Sequence, residues 1–355
     1  QALLLDAGNA NTYYLLGESY KSLNKKKQSI EAFKMCIKFD PVNGEAHFAL
    51  GEIYESIFQL EDALNQYKIA KKYIDHDMLN YKLGNLLYNQ ENYQESLSPL
   101  RSYIINNPYD YKTLEILGNV FMIENRHSEA IDTFSRLIDF NPDNQLYYYN
   151  IAISYLTLEN YFYAKEYFQK VLSFDEENTE VLLKLGKISN ILNEFYDAEQ
   201  YFLESIYCNY KSKESLFQLG LAYGGQKKYL QALEAFKEAL TYSLDDPILH
   251  YQLGVIYKEL EIYDLSIQSY EKYLFKNKND AVVYRMVGDC YFELSQYENA
   301  IIYFQKASDL FNNNDIKSIY GLGLSYKSIN ENQNAAKFFK LGISINPDFA
   351  PMHFQ

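Results

Sequence analysis

The chain has 355 residues, 48% of them hydrophobic and 23% charged, ordinary proportions for a folded protein, although it holds 37 tyrosines, 22 phenylalanines and no tryptophan. With only 15 glycines and 7 prolines there is little material for turns, which excludes a β-sandwich or barrel, and the apolar content excludes long disorder. A formal net charge of −14 repels phosphate backbones and anionic headgroups, so neither nucleic acid nor a membrane surface is an expected partner.

No apolar run approaches the roughly 18 residues of a membrane span, and Gln1 is not followed by a basic and then apolar leader. The compartment is left open, with the cytoplasm as the default expectation. Cys36, Cys208 and Cys290 are scattered and form no Cys-x-x-Cys pair, so they read as small core fillers. No cofactor is expected: phosphate-binding glycine loops, His-Glu-x-x-His and Gly-x-Ser-x-Gly are all missing.

In chain order, residues 1–9 read as the end of a second helix belonging to a preceding repeat. Glycine then recurs at 17, 51, 84, 118, 186, 220, 254, 288 and 323, with Ala152 in the single vacancy. Taking that residue as position 8 of each unit divides the chain into 10–43, 44–76, 77–110, 111–144, 145–178, 179–212, 213–246, 247–280, 281–315 and 316–349. Residues 350–355 start a further helix and stop. Since neither end carries a polar cap, the expectation is a chain cut from a longer solenoid.

Within each unit, apolar residues at positions 4, 7, 8 and 11, and again at 20, 21, 24, 27 and 28, fit two amphipathic helices. Position 20 is Ala or Ser throughout. Position 24 is Phe or Tyr except at Leu100, so small and large residues alternate where the two helices meet. Pro41, Pro108, Pro142 and Pro347 share position 32, where they stop the second helix. Pro99 falls inside a second helix and predicts a kink, and Gly224-Gly225 predict early closure of a first helix.

These residues resemble the tetratricopeptide repeat, a 34-residue pattern of Trp, Leu-Gly, Tyr, Ala, Phe, Ala and Pro, although position 4 never holds Trp. The resemblance implies an all-α fold: a right-handed superhelical α-solenoid of stacked antiparallel helix hairpins, with first helices facing a concave groove. It also implies a groove built from positions 2, 5, 9, 12 and 13. Candidate peptide-binding residues are therefore Tyr14, Phe48, Tyr81, Asn85, Asn119, Met122, Tyr149, Asn150, Ile153, Leu156, Lys184, Lys187, Phe217, Leu221, Tyr251 and Val255. The inner positions are apolar in the middle of the chain and acidic towards its ends (Glu18, Glu52, Glu55; Glu259, Asp289, Glu293), which suggests a peptide with apolar anchors and basic flanks.

Some relatives grip a peptide's terminal carboxylate with lysines and asparagines; here Asn119, Asn150 and Lys184 are the nearest match, but Glu115 and Glu180 stand where lysines belong. His47 and His250 occupy core position 4 and read as packing residues, with no metal expected. Asp245-Asp246 and Asp175-Glu176-Glu177 read as helix-start residues. The function expected is a non-catalytic interaction scaffold or adaptor. The alternatives are a self-assembling structural component, which makes the chain a possible homo-oligomer, and the substrate-docking arm of an enzyme whose catalytic part lies elsewhere.

Overall fold

The computed structural model describes residues 9–208 and 210–346. The expected helix end at 1–9 (Asn9 apart), the helix start at 350–355 and Pro347 lie outside the described residues. Contacts divide the chain after Phe174 into two units. The first unit contains α1 (Ala10–Ser22), α2 (Lys26–Phe39), α3 (Gly44–Ser56), α4 (Leu60–Ala70), α5 (Asp77–Asn89), α6 (Tyr93–Asn106), α7 (Tyr111–Ile123), α8 (His127–Phe140), α9 (Gln145–Thr157) and α10 (Tyr161–Leu172). The second contains α11 (Thr179–Ile191), α12 (Phe195–Tyr207), α13 (Lys213–Gly225), α14 (Tyr229–Thr241), α15 (Pro247–Glu259), α16 (Tyr263–Lys276), α17 (Ala281–Glu293), α18 (Tyr297–Leu310), α19 (Ile316–Ser328) and α20 (Asn332–Ile345). There is no strand among the described residues. Each odd-numbered helix packs against the even-numbered helix that follows it, and hairpins stack within each unit, giving an all-α helical solenoid.

The two helices of a hairpin start differently. Every odd-numbered helix opens on a side chain that accepts a backbone N–H of its first turn: Asn9, Asn43, His76, Asp110 and Asn144 in the first unit, Asn178, Ser212, Asp246, Asp280 and Asp315 in the second. Asp246 thus caps as expected, whereas Asp175 accepts from the Glu177 N–H (3.3 Å) and leaves the cap of α11 to Asn178. The even-numbered helices carry no such side-chain cap. Their start is set by how the preceding helix ends: position 15 of each repeat is left-handed, from Asn24 (φ 56°) and Phe58 (φ 61°) to Glu261 (φ 59°) and Asn330 (φ 66°). The next N–H reaches back to the carbonyl of position 11, as in Lys25 N–H to Tyr20 O (2.8 Å) and Lys228 N–H to Tyr223 O (2.9 Å). Each first helix therefore closes in a Schellman turn without glycine.

That geometry corrects the expectation for Gly224-Gly225. α13 is as long as the other first helices, no described glycine has positive φ, and its left-handed turn falls on Lys227 (φ 61°). The pair lies in the last helical turn. Pro99 sits buried within α6, which continues to Asn106, and α2, α6 and α8 end two residues before Pro41, Pro108 and Pro142. Yet α16 and α18 match their length without proline, so proline marks this boundary rather than creating it.

The hairpin core is a glycine facing a ring. A Cβ built at position 8 would stand 2.6 Å from Phe33 at Gly17, 2.5 Å from Phe202 at Gly186 and 2.4 Å from Phe339 at Gly323, distances no side chain can occupy. The rings that fill this space are buried, Phe33, Tyr67 and Phe202 completely. Two of the three serines at position 20 donate across the hairpin to the position 8 carbonyl, Ser29 to Gly17 and Ser266 to Gly254, both at 2.8 Å, whereas Ser96 donates to the Tyr93 carbonyl of its own helix (2.6 Å). His47 and His250 are buried at position 4 and bond the Pro41 and Leu244 carbonyls at 3.1 and 2.9 Å, consistent with packing residues.

Two stability predictions follow from these turns and contacts. Gly186→Ala is expected to lower stability by about 1 kcal/mol or more, the clash with Phe202 outweighing alanine's better helix propensity. Glu159→Gly is expected to raise it by about 0.5–1 kcal/mol through relief of a left-handed backbone (φ 57°), less the entropy glycine adds to the unfolded chain. Denaturant melts of each variant against the parent measure both; a stabilised alanine variant or a destabilised glycine variant contradicts the corresponding account.

Candidate binding surface

The ring track at position 5 is half core and half surface. Tyr14, Phe48 and Tyr149 in the first unit pack against Phe33, Tyr67 and Phe168 with centroids 5.8, 5.8 and 5.9 Å apart. Phe217 and Tyr251 do the same with Phe236 and Tyr270 in the second, at 5.8 and 6.1 Å. Tyr81, whose own hairpin carries Leu100 at position 24, packs against Tyr103 (5.1 Å), a contact matched by Tyr251 with Tyr273 (5.4 Å). All six candidate rings are half-buried: one edge closes the hairpin core while the rest stays accessible.

In the first unit the acidic end is already compensated. Lys21 Nζ lies 2.5 Å from Glu52, Lys82 Nζ lies 2.9 Å from Glu55 and 3.9 Å from Glu52, and the Tyr67 hydroxyl donates to Glu55 at 2.6 Å. Glu52 and Glu55 are therefore held by lysines of adjoining first helices, which narrows the acidic reading made from sequence. Further along, Asn85 keeps a buried Oδ1 without a partner among the described residues, Glu115 accepts from the Tyr147 hydroxyl, and Met122 Sδ accepts from Ser154 Oγ (2.9 Å). Asn119, Asn150, Ile153 and Leu156 are half-buried, while Ile123 and Leu146 are exposed.

In the second unit, Lys184 pairs with Glu180 on its own helix (3.4 Å) and Lys187 pairs with Glu214 (2.9 Å), so both basic candidates are engaged by neighbouring carboxylates. Leu221 and Val255 come together on an open pocket of about 520 Å³ that also takes in Phe195, Gly224, Tyr229 and Ile256. Sequence reasoning missed Phe195 and Tyr229, because it sought the groove on first helices alone. Both hold position 17, the first residue of an even-numbered helix, and aromatics also hold that position at Tyr93, Tyr161, Tyr263 and Tyr297. A second, polar pocket of about 630 Å³ lies beyond it, with Arg285, Asp289, Glu293, Lys317 and Tyr320 on its walls. Lys258 bonds Asp289 (3.0 Å) and Arg285 faces Asp315 (3.4 Å), whereas no ion pair reaches Glu259 or Glu293 among the described residues. No candidate metal cluster occurs among the described residues.

Several tyrosines are tied to carboxylates. Burial together with hydrogen bonds to Asp110, Glu115 and Asp280 pushes Tyr103, Tyr147 and Tyr273 up to about 12. The unfolded chain releases these phenolic protons first, at about pH 10, so the stability they contribute is complete below that pH and is lost as pH rises towards about 12. Melting temperatures measured across that interval are expected to fall, and to fall less steeply in Tyr147→Phe combined with Tyr273→Phe; identical slopes would disprove the coupling.

Hairpins of this length, stacked with their first helices side by side, define a helical-repeat interaction module. The tetratricopeptide repeat is the family whose models match, one at residues 10–43, 146–178, 281–314 and 316–349 and a second at 81–145 and 217–282; the chain belongs to that family. Among solved structures it is similar to the C-terminal part of a tetratricopeptide-repeat protein from Cytophaga hutchinsonii, at 17% identity and a TM-score of 0.57 over 69% of this chain and 98% of that one, a likeness of fold. MamA matches at 25% identity over 48% of this chain and 93% of its own (TM-score 0.45), and YrrB, described as having an unusual peptide-binding site, at 19% over 52% and 95% (TM-score 0.47). No curated protein matches the sequence. No described helix is long and apolar enough to cross a membrane.

Proposed function

We propose that the chain is a non-catalytic scaffold that binds peptide segments of other proteins along the concave face of its first helices. The observation that carries this reading is the apolar pocket formed by Leu221 and Val255 with Phe195 and Ile256, built from three consecutive hairpins and left open. Exposed Ile191 and Ile248 on neighbouring first helices extend the apolar character. Glu259 and Glu293, without ion pairs among the described residues, favour basic residues beside the partner's apolar anchors.

Selection of displayed random peptides against the intact chain, followed by titration of the selected sequences, tests the proposal. Leu221→Ser with Val255→Ser is expected to weaken those peptides by about tenfold or more at unchanged helicity. Equal binding by parent and variant would remove this face as the site. A second reading, assembly with further copies, is favoured by apolar side chains exposed on second helices, such as Ile105 (77%) and Phe275 (78%). Sedimentation across a concentration range decides it.

A further inference from the structure

α13 carries three glycines, and two of them are explained by packing. A Cβ at Gly220 would lie 2.5 Å from Phe236, and one at Gly225 would lie 2.5 Å from Phe195. At Gly224 the nearest atom to such a Cβ is Ile256 Cδ1, at an ordinary 3.7 Å, and the backbone is helical with negative φ. Neither sterics nor conformation calls for glycine there, and glycine inside a helix lowers stability relative to alanine. What the missing side chain leaves is the open space bounded by Phe195, Leu221, Tyr229 and Val255. A residue that breaks a local rule without a structural return marks a functional position.

We propose that Gly224 keeps this pocket open for one large aromatic side chain of a partner peptide, with a lysine or arginine close to it in the partner's sequence. The proposal rests on the peptide-binding reading above and narrows it to one anchor. The aromatic preference follows from the walls: the rings of Phe195 and Tyr229 and the aliphatic Leu221, Val255 and Ile256 offer faces and edges to a flat guest. The cation follows from charge. Glu259 at the pocket is exposed, its carboxylate accepts only the Tyr229 hydroxyl at 3.0 Å, and no ion pair among the described residues neutralises it. A guest that brings its own positive charge completes that group.

Because the chain contains no tryptophan, an indole brought by a peptide can be excited alone. The probe is the blocked peptide Gly-Ser-Trp-Ser-Lys-Gly, compared with versions carrying Ala for Trp or Ala for Lys, the Trp-free version being followed by competition. The expected result is a blue-shifted, saturable indole emission with the parent, weakened about tenfold or more when Trp is replaced. Gly224→Leu, whose Cβ meets nothing nearer than Ile256 Cδ1 at 3.7 Å and whose branched end would occupy the pocket, is expected to abolish the shift at unchanged helicity. Glu259→Gln is expected to weaken the lysine peptide but not its alanine version. Failure of the indole to shift with the parent, or a Gly224→Leu variant that binds like the parent, overturns the proposal. If peptides selected by display still bind and lose affinity in Leu221→Ser with Val255→Ser, the broader scaffold reading survives that failure; if no peptide of any kind binds, both fall.

Discussion

The contact on which the rest depends is the ring at position 24 pressed into the space where the position 8 residue has no Cβ. It sets how closely the two helices of a hairpin approach, and it recurs from Gly17 and Phe33 to Gly323 and Phe339. Because the ring touches the partner backbone directly, the hairpin is fixed by the volume of one side chain rather than by a network of polar bonds. Serine at position 20 adds a bond to the same glycine's carbonyl in two hairpins, reinforcing the contact from the other side.

That single constraint was legible in the sequence because it demands a particular residue, glycine, at a fixed period. The turn that follows was not legible. Its left-handed residue is Asn in four hairpins but Phe58, Glu91, Glu159, Lys227, Glu261 and Ser295 in the others. The Schellman bonds are made by backbone groups, so almost any side chain can stand there at some conformational cost. The Gly224-Gly225 pair misled for the complementary reason: a glycine beyond a helix is common, but here the stop is carried by Lys227. Likewise, ion pairs such as Lys21 with Glu52 join residues about one repeat apart, where only the stacking of hairpins brings them together.

Only part of the pocket's lining was visible in the sequence pattern. Periodicity along the first helices named Phe217, Tyr251, Leu221 and Val255 as surface candidates; the structure packs the two rings against Phe236 and Tyr270 and makes the two aliphatic residues neighbours at a pocket. The pocket's other half comes from Phe195 and Tyr229 at the starts of second helices. Their contribution depends on how far α12 and α14 reach past the end of the adjoining first helix, and no pattern within a single helix contains that information.

A solenoid also decides how far such a feature can act. The extensive contacts of each helix are with its hairpin partner and the adjoining hairpins, and first helices touch the next first helix, as α11 does α13 and α17 does α19. Stability is then a sum of hairpin and interface contributions, so a change that leaves the ring contact intact stays local. A glycine at position 8 is therefore constrained by the fold wherever it occurs, while position 12, which lies outside the contact with the position 24 ring, differs from hairpin to hairpin: Tyr88, Met122, Leu156, Asn190, Gly224 and Lys258 all hold it. Specificity in this architecture is written at such positions, where the invariant packing places no demand and the shape of the surface is set by one side chain at a time.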